Sequence, residues 1–142
     1  MTQPSDVEMI DCGWLACDTL GRLAALITAG CGPIPAAVFE GPVDIFDLEG
    51  RLMELPINGT ARLRGAYGDM SSFSGLAERG PFEFDWSDIH KVGADQTEAY
   101  ELMAAPSAPR HLPDLADDLR STAERVRLDA DLARTERLTI DP

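Results

Sequence analysis

The segment from residue 81 to residue 87 constrains the fold most, because aromatic and polar residues alternate along it. In a β-strand, successive side chains point to opposite faces. The two sets are Phe82, Phe84, Trp86 and Glu83, Asp85, Ser87. The pattern predicts a half-buried strand with an acidic outer face, which is typical of antiparallel sheets.

A β-hairpin is predicted nearer the start of the chain. Residues 13–18 and 22–28 are apolar segments that flank a short turn, where Asp18 and Gly21 supply turn chemistry. Residues 29–35 contain two glycines and two prolines. Because proline lacks a backbone donor and glycine has free dihedrals, this stretch predicts a loop.

The remaining elements give an α+β fold in one domain, residues 1–142, with residues 1–10 as a flexible segment. Apolar residues at helical spacing predict helices over 43–55 and along the face from Leu112 to Val126. A short helix is predicted at 71–79, and strands at 100–105 and 138–140. We therefore expect an antiparallel sheet that begins with the hairpin and is packed by about three helices.

The charge balance limits the class of partner. The chain has 25 acidic against 12 basic residues, a net charge of −13. A surface this acidic repels phosphate and anionic lipid, which argues against binding to nucleic acid or to a membrane surface. The hydrophobic fraction of 44% is that of a folded protein. We expect a basic partner and an acidic surface on a folded domain.

The segment 83–101 is the predicted contact surface, because it carries six acidic residues and one lysine. We expect its carboxylates to contact the partner and two aromatic side chains to anchor it. The acidic contacts are Glu83, Asp85, Asp88, Asp95 and Glu98, and the anchors are Trp86 and Tyr100. The alternative is a solvated sheet edge that charge keeps soluble.

The sequence predicts no catalytic residue, metal or cofactor. Successive residues on one strand face lie roughly 6.6–7 Å apart, so Glu83 and Asp85 are too far apart to chelate one ion by themselves. No glycine-rich nucleotide-binding motif occurs. An enzyme that uses Cys31, or the group of Asp85, Asp88 and His90, remains an alternative. A homo-oligomer that pairs through the edge of the hairpin also remains an alternative.

The beginning of the chain is polar and acidic, without the pattern of a secretion signal. The longest apolar run, residues 23–27, is far shorter than the roughly 18–20 residues that cross a bilayer. Three cysteines, an odd number, do not suggest a disulfide framework. We expect a cytoplasmic protein with reduced thiols.

Three segments in order resemble a known group of proteins. They are residues 14–18 continuing through Gly21 to 30–35, then 84–90, then 100–102 followed by Pro106. From about Asp11 onward, the chain resembles small bacterial proteins associated with the immunity proteins of polymorphic-toxin and type VI secretion loci. The resemblance implies a cytoplasmic antitoxin-like binder without activity of its own, which occludes a cognate toxin. The negative charge of the chain agrees with this role, since toxins that attack nucleic acids or nucleotides present basic clefts.

Overall fold

In a computed structural model of the chain, the structure describes residues 2–64, 71–86 and 92–142. These residues form a single α+β domain in which three α-helices pack against one six-stranded sheet. The strands are β1 (Gly13–Cys17), β2 (Leu23–Ile27), β3 (Ala61–Leu63), β4 (Phe82–Asp85), β5 (Tyr100–Pro106) and β6 (Arg137–Leu138). The helices are α1 (Ile45–Met53), α2 (Ser71–Ala77) and α3 (Asp117–Glu124).

The predicted hairpin is confirmed as β1 and β2, which pair antiparallel from Gly13 opposite Ile27 to Cys17 opposite Leu23. Its turn follows from two residues. Gly21 has a φ of 78°, a conformation that glycine adopts readily, and the Asp18 carboxylate accepts a hydrogen bond from the Leu20 backbone N–H at 2.9 Å.

The strand order is β1-β2-β4-β5-β3, with β6 also paired to β5. The β2–β4 pair is parallel and the other strand pairs are antiparallel, so the described sheet is mixed, where the sequence predicted an antiparallel one. The chain reaches β4 from β2 by way of α1, β3 and α2, and a long crossover of this kind can deliver a parallel neighbour. Alternation is typical of antiparallel sheets, but the path of the chain between two strands decides their relative direction.

Helix α1 confirms the predicted helix within residues 43–55. The Asp44 carboxylate caps it by accepting a hydrogen bond from the Phe46 backbone N–H at 3.0 Å. Its inner face buries Ile45, Leu48 and Leu52. The hydrophobic spacing in the sequence therefore identified the face that packs against the sheet.

The face from Leu112 to Val126 is helical over only part of its length. Residues 112–114 form a 3₁₀ turn, and α3 begins at Asp117 after extended backbone at Ala116. The Asp114 carboxylate accepts from the His111 backbone N–H at 3.0 Å, which closes the turn. From α3, the Thr122 hydroxyl accepts a hydrogen bond from the Val43 backbone N–H at 3.2 Å, and this bond joins α3 to the start of α1.

Two short strands lie beside β5. β3 pairs with its end and β6 with its beginning. The sequence gives no expectation of β3, since three residues are too few to show a period. The strand predicted at 138–140 is β6, displaced by one residue at its start and shorter. The predicted helix at 71–79 is α2, and it stops before Gly80, whose φ is 116°.

Residues 2–10, predicted to be flexible, contact the domain near α1. Residues 4–7 form a 3₁₀ turn, and Val7 is buried. The Thr2 hydroxyl donates to the Asp44 carboxylate at 2.6 Å, and the Met9 backbone N–H donates to the Gly30 carbonyl at 3.0 Å. The start of the chain therefore lies against the N-terminal end of α1.

Candidate functional site

The prediction of an acidic outer face on β4 is wrong at Glu83, because this side chain is only 3% exposed. β4 is an inner strand between β2 and β5, so both of its edges are paired. The Glu83 side of the strand is covered as well as the Phe84 side. Alternation in the sequence distinguishes the two faces of a strand, but it does not tell which face the rest of the fold covers.

Tyr100, a predicted partner anchor, is fully buried at 0% exposure. Its ring makes edge contacts with Trp14 and Trp86, with ring centroids 5.9 and 5.3 Å away. Its hydroxyl accepts a hydrogen bond from Trp14 Nε1 at 3.2 Å and donates to the Pro33 carbonyl at 2.8 Å. Because both hydrogen bonds are internal, Tyr100 holds the 29–35 loop against the sheet.

The other predicted contact residues do not form one described patch. Asp85 and Trp86 are half-buried, and Glu98 is exposed. Asp88 lies outside the described residues, as does His90, and the side chain of Asp95 is also not described. Contact between this segment and a partner stays a prediction.

Glu83 lies in an unfavourable environment for a carboxylate. It pairs in register with Ala25 of β2, and no described group makes a hydrogen bond with its Oε2 atom. Burial, followed by the negative charges of Glu49 on α1 and of Asp85, raises the pKa of Glu83 to about 9. Glu83 is therefore protonated at neutral pH. Burial and the nearby Asp11 also raise the pKa of Glu49.

The described residues contain no group of three or more His, Cys, Asp or Glu side chains placed to hold a metal ion. Two of the cysteines, Cys12 and Cys17, are buried, and burial raises the pKa of each thiol. Cys31 is exposed and lines a groove of about 310 Å³ together with Thr28 and Phe39. The chemistry of Cys31 stays an open alternative.

Negative charge is concentrated around α1. The first 60 residues contain nine acidic and two basic side chains. Both bases are paired: Arg22 with Asp18, and Arg51 with Asp118 through two hydrogen bonds of 2.7 and 2.9 Å. The acids on and beside α1 are Asp44, Asp47, Glu49 and Glu54. Arg79 and Arg110 donate to the carbonyls of Leu55 and Pro56 just after α1, at 3.0 and 2.7 Å, so the excess of negative charge lies along α1 itself.

The outward face of α1 combines this charge with exposed apolar side chains. Phe46 is 48% exposed and Met53 is 41% exposed. Between them lies Gly50, which leaves space in the helix surface. A groove of about 440 Å³ runs along this side of α1, lined by Pro42, Val43, Asp44, Phe46, Asp47, Gly50, Arg51, Glu54 and Asp118. We call Phe46, Asp47, Gly50, Met53 and Glu54 the α1 outer face; the Glu49 side chain instead lies against β1 beside Gly13.

The sequence prediction missed the α1 outer face. A usable signal was present, since Phe46 and Met53 are large apolar residues that lie off the buried stripe of an amphipathic helix. Such residues are often ordinary surface residues when single. Here they lie seven residues apart on one helix, beside the carboxylates of Asp47 and Glu54, and apolar side chains ringed by polar ones are typical of a protein-binding surface.

Comparison of the chain with protein-family models, with curated proteins and with solved structures found no match. Among the helices of the described residues, none has the length and apolar composition needed to cross a bilayer. The fold and the α1 outer face are therefore the basis of the functional argument.

Proposed function

We propose that this protein is a cytoplasmic immunity protein, which binds and occludes a cognate bacterial toxin without catalysing a reaction itself. The partner would carry a basic cleft, and the acidic surface of this chain would fill it. The proposal needs no cofactor and no metal. The negative charge of the chain and the family resemblance of its three sequence segments both support the proposal.

The α1 outer face is the single observation that carries the proposal. It sets Asp47 and Glu54 beside Phe46 along one groove, so that long-range attraction and apolar burial act at the same place. Complementary charge speeds encounter between proteins, while buried aromatic side chains supply much of the binding energy. This combination distinguishes a docking surface from a merely solvated acidic surface.

The net charge of −13 favours a protein partner over a nucleic acid. Binding to nucleic acid depends on basic side chains that displace counterions from phosphate. On α1 the one basic residue, Arg51, is already paired with Asp118. An acidic protein can instead occupy the cleft in which a toxin would bind phosphate.

A protection assay in a bacterial host tests this function. The probe is the product of the gene next to this one, expressed with and without the chain. We expect the neighbouring product to stop growth and the chain to restore it. The variant carrying Asp47→Lys and Glu54→Lys should lose protection, because it reverses the charge on the α1 outer face.

A matched variant carries Glu124→Lys and Asp129→Lys, two exposed acids away from α1, and changes net charge by the same amount. It should protect almost as well as the unmodified chain. Equal loss of protection in the two variants would show that only total charge matters. A neighbouring product that is harmless in the host, or that kills despite the chain, would overturn the proposed function.

A further inference from the structure

Gly50 has no reason within the described domain to be glycine. It lies inside α1, where glycine costs about 1 kcal/mol relative to alanine. A Cβ at Gly50 would have no neighbour within 4 Å among the described atoms. By contrast, a Cβ at Gly13 would lie 3.0 Å from Ile27 Cδ1, and one at Gly32 would collide with the Tyr100 hydroxyl. Packing within the domain therefore explains Gly32 and Gly13, but not Gly50.

The spacing around Gly50 is that of a coiled-coil seam. Phe46, Gly50 and Met53 follow one another at intervals of four and three residues, which are the d, a and d positions of a heptad repeat. The flanking e positions are Asp47 and Glu54. At the g position, the Glu49 side chain lies against β1 beside Gly13. Phe46 and Met53 lie about 10.5 Å apart along the helix axis, which is two turns.

We infer that the α1 outer face binds one basic amphipathic helix of the partner protein. A large apolar side chain of that helix would fill the space over Gly50, with Phe46 and Met53 on either side of it. Lysine or arginine side chains at the flanking positions would pair with Asp47 and Glu54. This inference rests on the proposed function, since it names the segment of the partner that docks.

A helix fits this face better than an extended peptide does. Missing side-chain volume at one position lets a second helix approach closely, and ridges repeating every three or four residues interlock with those of another helix. An extended strand repeats every two residues and needs a free sheet edge. α1 offers the first kind of surface, and its carboxylates require that the partner helix be basic.

The probe is a synthetic helix of about 20 residues, with leucine at a and d positions and lysine at e and g positions. A peptide of the same composition with scrambled spacing is its control. We expect nuclear magnetic resonance shifts of this protein to be confined to α1 and the groove beside it, and the peptide to gain helicity by circular dichroism. The scrambled peptide should do neither.

Two surface variants test whether the peptide contacts the α1 outer face. Phe46→Ser should weaken binding of the leucine-lysine peptide at least tenfold. The control is Leu63→Ser, since Leu63 is 43% exposed on β3 and lies away from α1. It should leave binding within about twofold of the unmodified protein. An equal effect of the two substitutions would overturn the inference.

A size exchange tests the space over Gly50. Gly50→Leu should weaken binding of the peptide about tenfold, and a peptide with alanine at the facing leucine should recover the loss. Because a Cβ at Gly50 has open space, the variant should fold, and its circular dichroism spectrum verifies this. Absence of recovery would show that no side chain of the peptide occupies this space.

Other occupants give different results. Peptide binding without a gain in helicity would favour an extended ligand and overturn the inference. A dimer in sedimentation that dissociates on Phe46→Ser would assign the α1 outer face to a second copy of this chain, and would also overturn the inference.

The protection assay separates the inference from the proposed function. If Phe46→Ser and Gly50→Leu leave protection intact while Asp47→Lys with Glu54→Lys abolishes it, the proposed function stands and the inference of a docked helix fails. If the peptide binds as expected but no protection occurs, the proposed function fails alone.

Discussion

Two buried carboxylates, Asp18 and Glu83, show how differently two regions of this molecule handle charge. Asp18, in the hairpin turn, has no exposed surface, and Arg22 Nε donates to it at 2.9 Å. The backbone N–H groups of Leu20, Arg22 and Leu132 also donate to it, at 2.9, 2.9 and 3.1 Å. Glu83, in β4, is nearly as buried, but its Oε2 atom has no partner among the described groups.

The pKa of each group follows from this difference. Burial by itself would raise the pKa of Asp18, but the donors from Leu132, Arg22 and Leu20 outweigh it, and the pKa is lowered. No comparable donor among the described residues reaches its Oε2 atom, so burial and neighbouring acids raise the pKa of Glu83 to about 9. The charge of Asp18 ties the hairpin to the end of the chain, whereas a charge on Glu83 would oppose folding.

A second departure from optimal stability lies near Glu83. The negative charge of Glu49 on α1 helps to raise the pKa of Glu83. The next residue, Gly50, lowers the stability of the helix, and no contact in the described domain requires a glycine there. Local departures from optimal stability are often found at functional sites. Gly50 lies on α1, and Glu83 lies on β4 within electrostatic reach of Glu49.

The largest expected effect comes from removing the satisfied carboxylate. Asp18→Ala should lower the free energy of unfolding by about 3–5 kcal/mol, because it leaves Arg22 and three backbone donors without their acceptor. Urea denaturation at pH 7 measures the change. Asp129→Ala, at an exposed acid, is the control and should have little effect. A loss below about 1 kcal/mol at Asp18 would contradict the assigned role.

The sign of the pH dependence separates the two carboxylates. Because the folded pKa of Glu83 is raised from 4.5 to about 9, its favourable contribution is complete below pH 4.5 and is lost as the pH rises towards 9. Glu83→Gln should therefore raise stability by about 2–3 kcal/mol at pH 7, and by little at pH 4.5. Asp18 behaves oppositely, since its contribution is lost as the pH falls below 3.8.

Urea denaturation at several pH values between 4.5 and 9 checks the Glu83 prediction. Glu40→Gln, at an exposed glutamate, provides a control for loss of an acidic charge. A Glu83→Gln gain that stays constant over this range would mean that Glu83 does not titrate with a raised pKa.

The smallest effect is expected at Gly50. Gly50→Ala should raise the free energy of unfolding by about 0.5–1 kcal/mol, because alanine favours the helix and its Cβ meets no described atom. Gly21→Ala is the contrasting variant and should be destabilising, since Gly21 has a φ of 78°. Thermal unfolding measures the change in stability of both variants. A destabilised Gly50→Ala variant would reveal a structural role for this glycine.

Much of the fold could be predicted because short-range patterns determine it. The turn chemistry of Asp18 and Gly21 indicated the hairpin, and the spacing of Ile45, Leu48 and Leu52 indicated α1. β3 could not be predicted, since its three residues form a strand only through pairing with β5. The parallel contact between β2 and β4 likewise depends on the path of the chain between them.

The site was less predictable than the fold. Glu83 and Tyr100 belong to an acidic, aromatic stretch that resembles a contact surface in sequence, yet both are buried. Phe46 lies beside the buried stripe of α1 in sequence, but its exposure follows from what packs around the helix. Composition records how many charges a chain has, while burial depends on which elements cover them.

By itself, the sequence determined the excess of negative charge, the hairpin, and the inner face of α1, because each depends on composition or on neighbours a few residues apart. Only the tertiary structure decided that Glu83 is enclosed and uncharged at neutral pH, and that Asp47, Gly50 and Phe46 lie together on an open groove. The physical reason is that desolvation and surface shape arise from elements distant in sequence, and no local pattern of residues specifies those contacts.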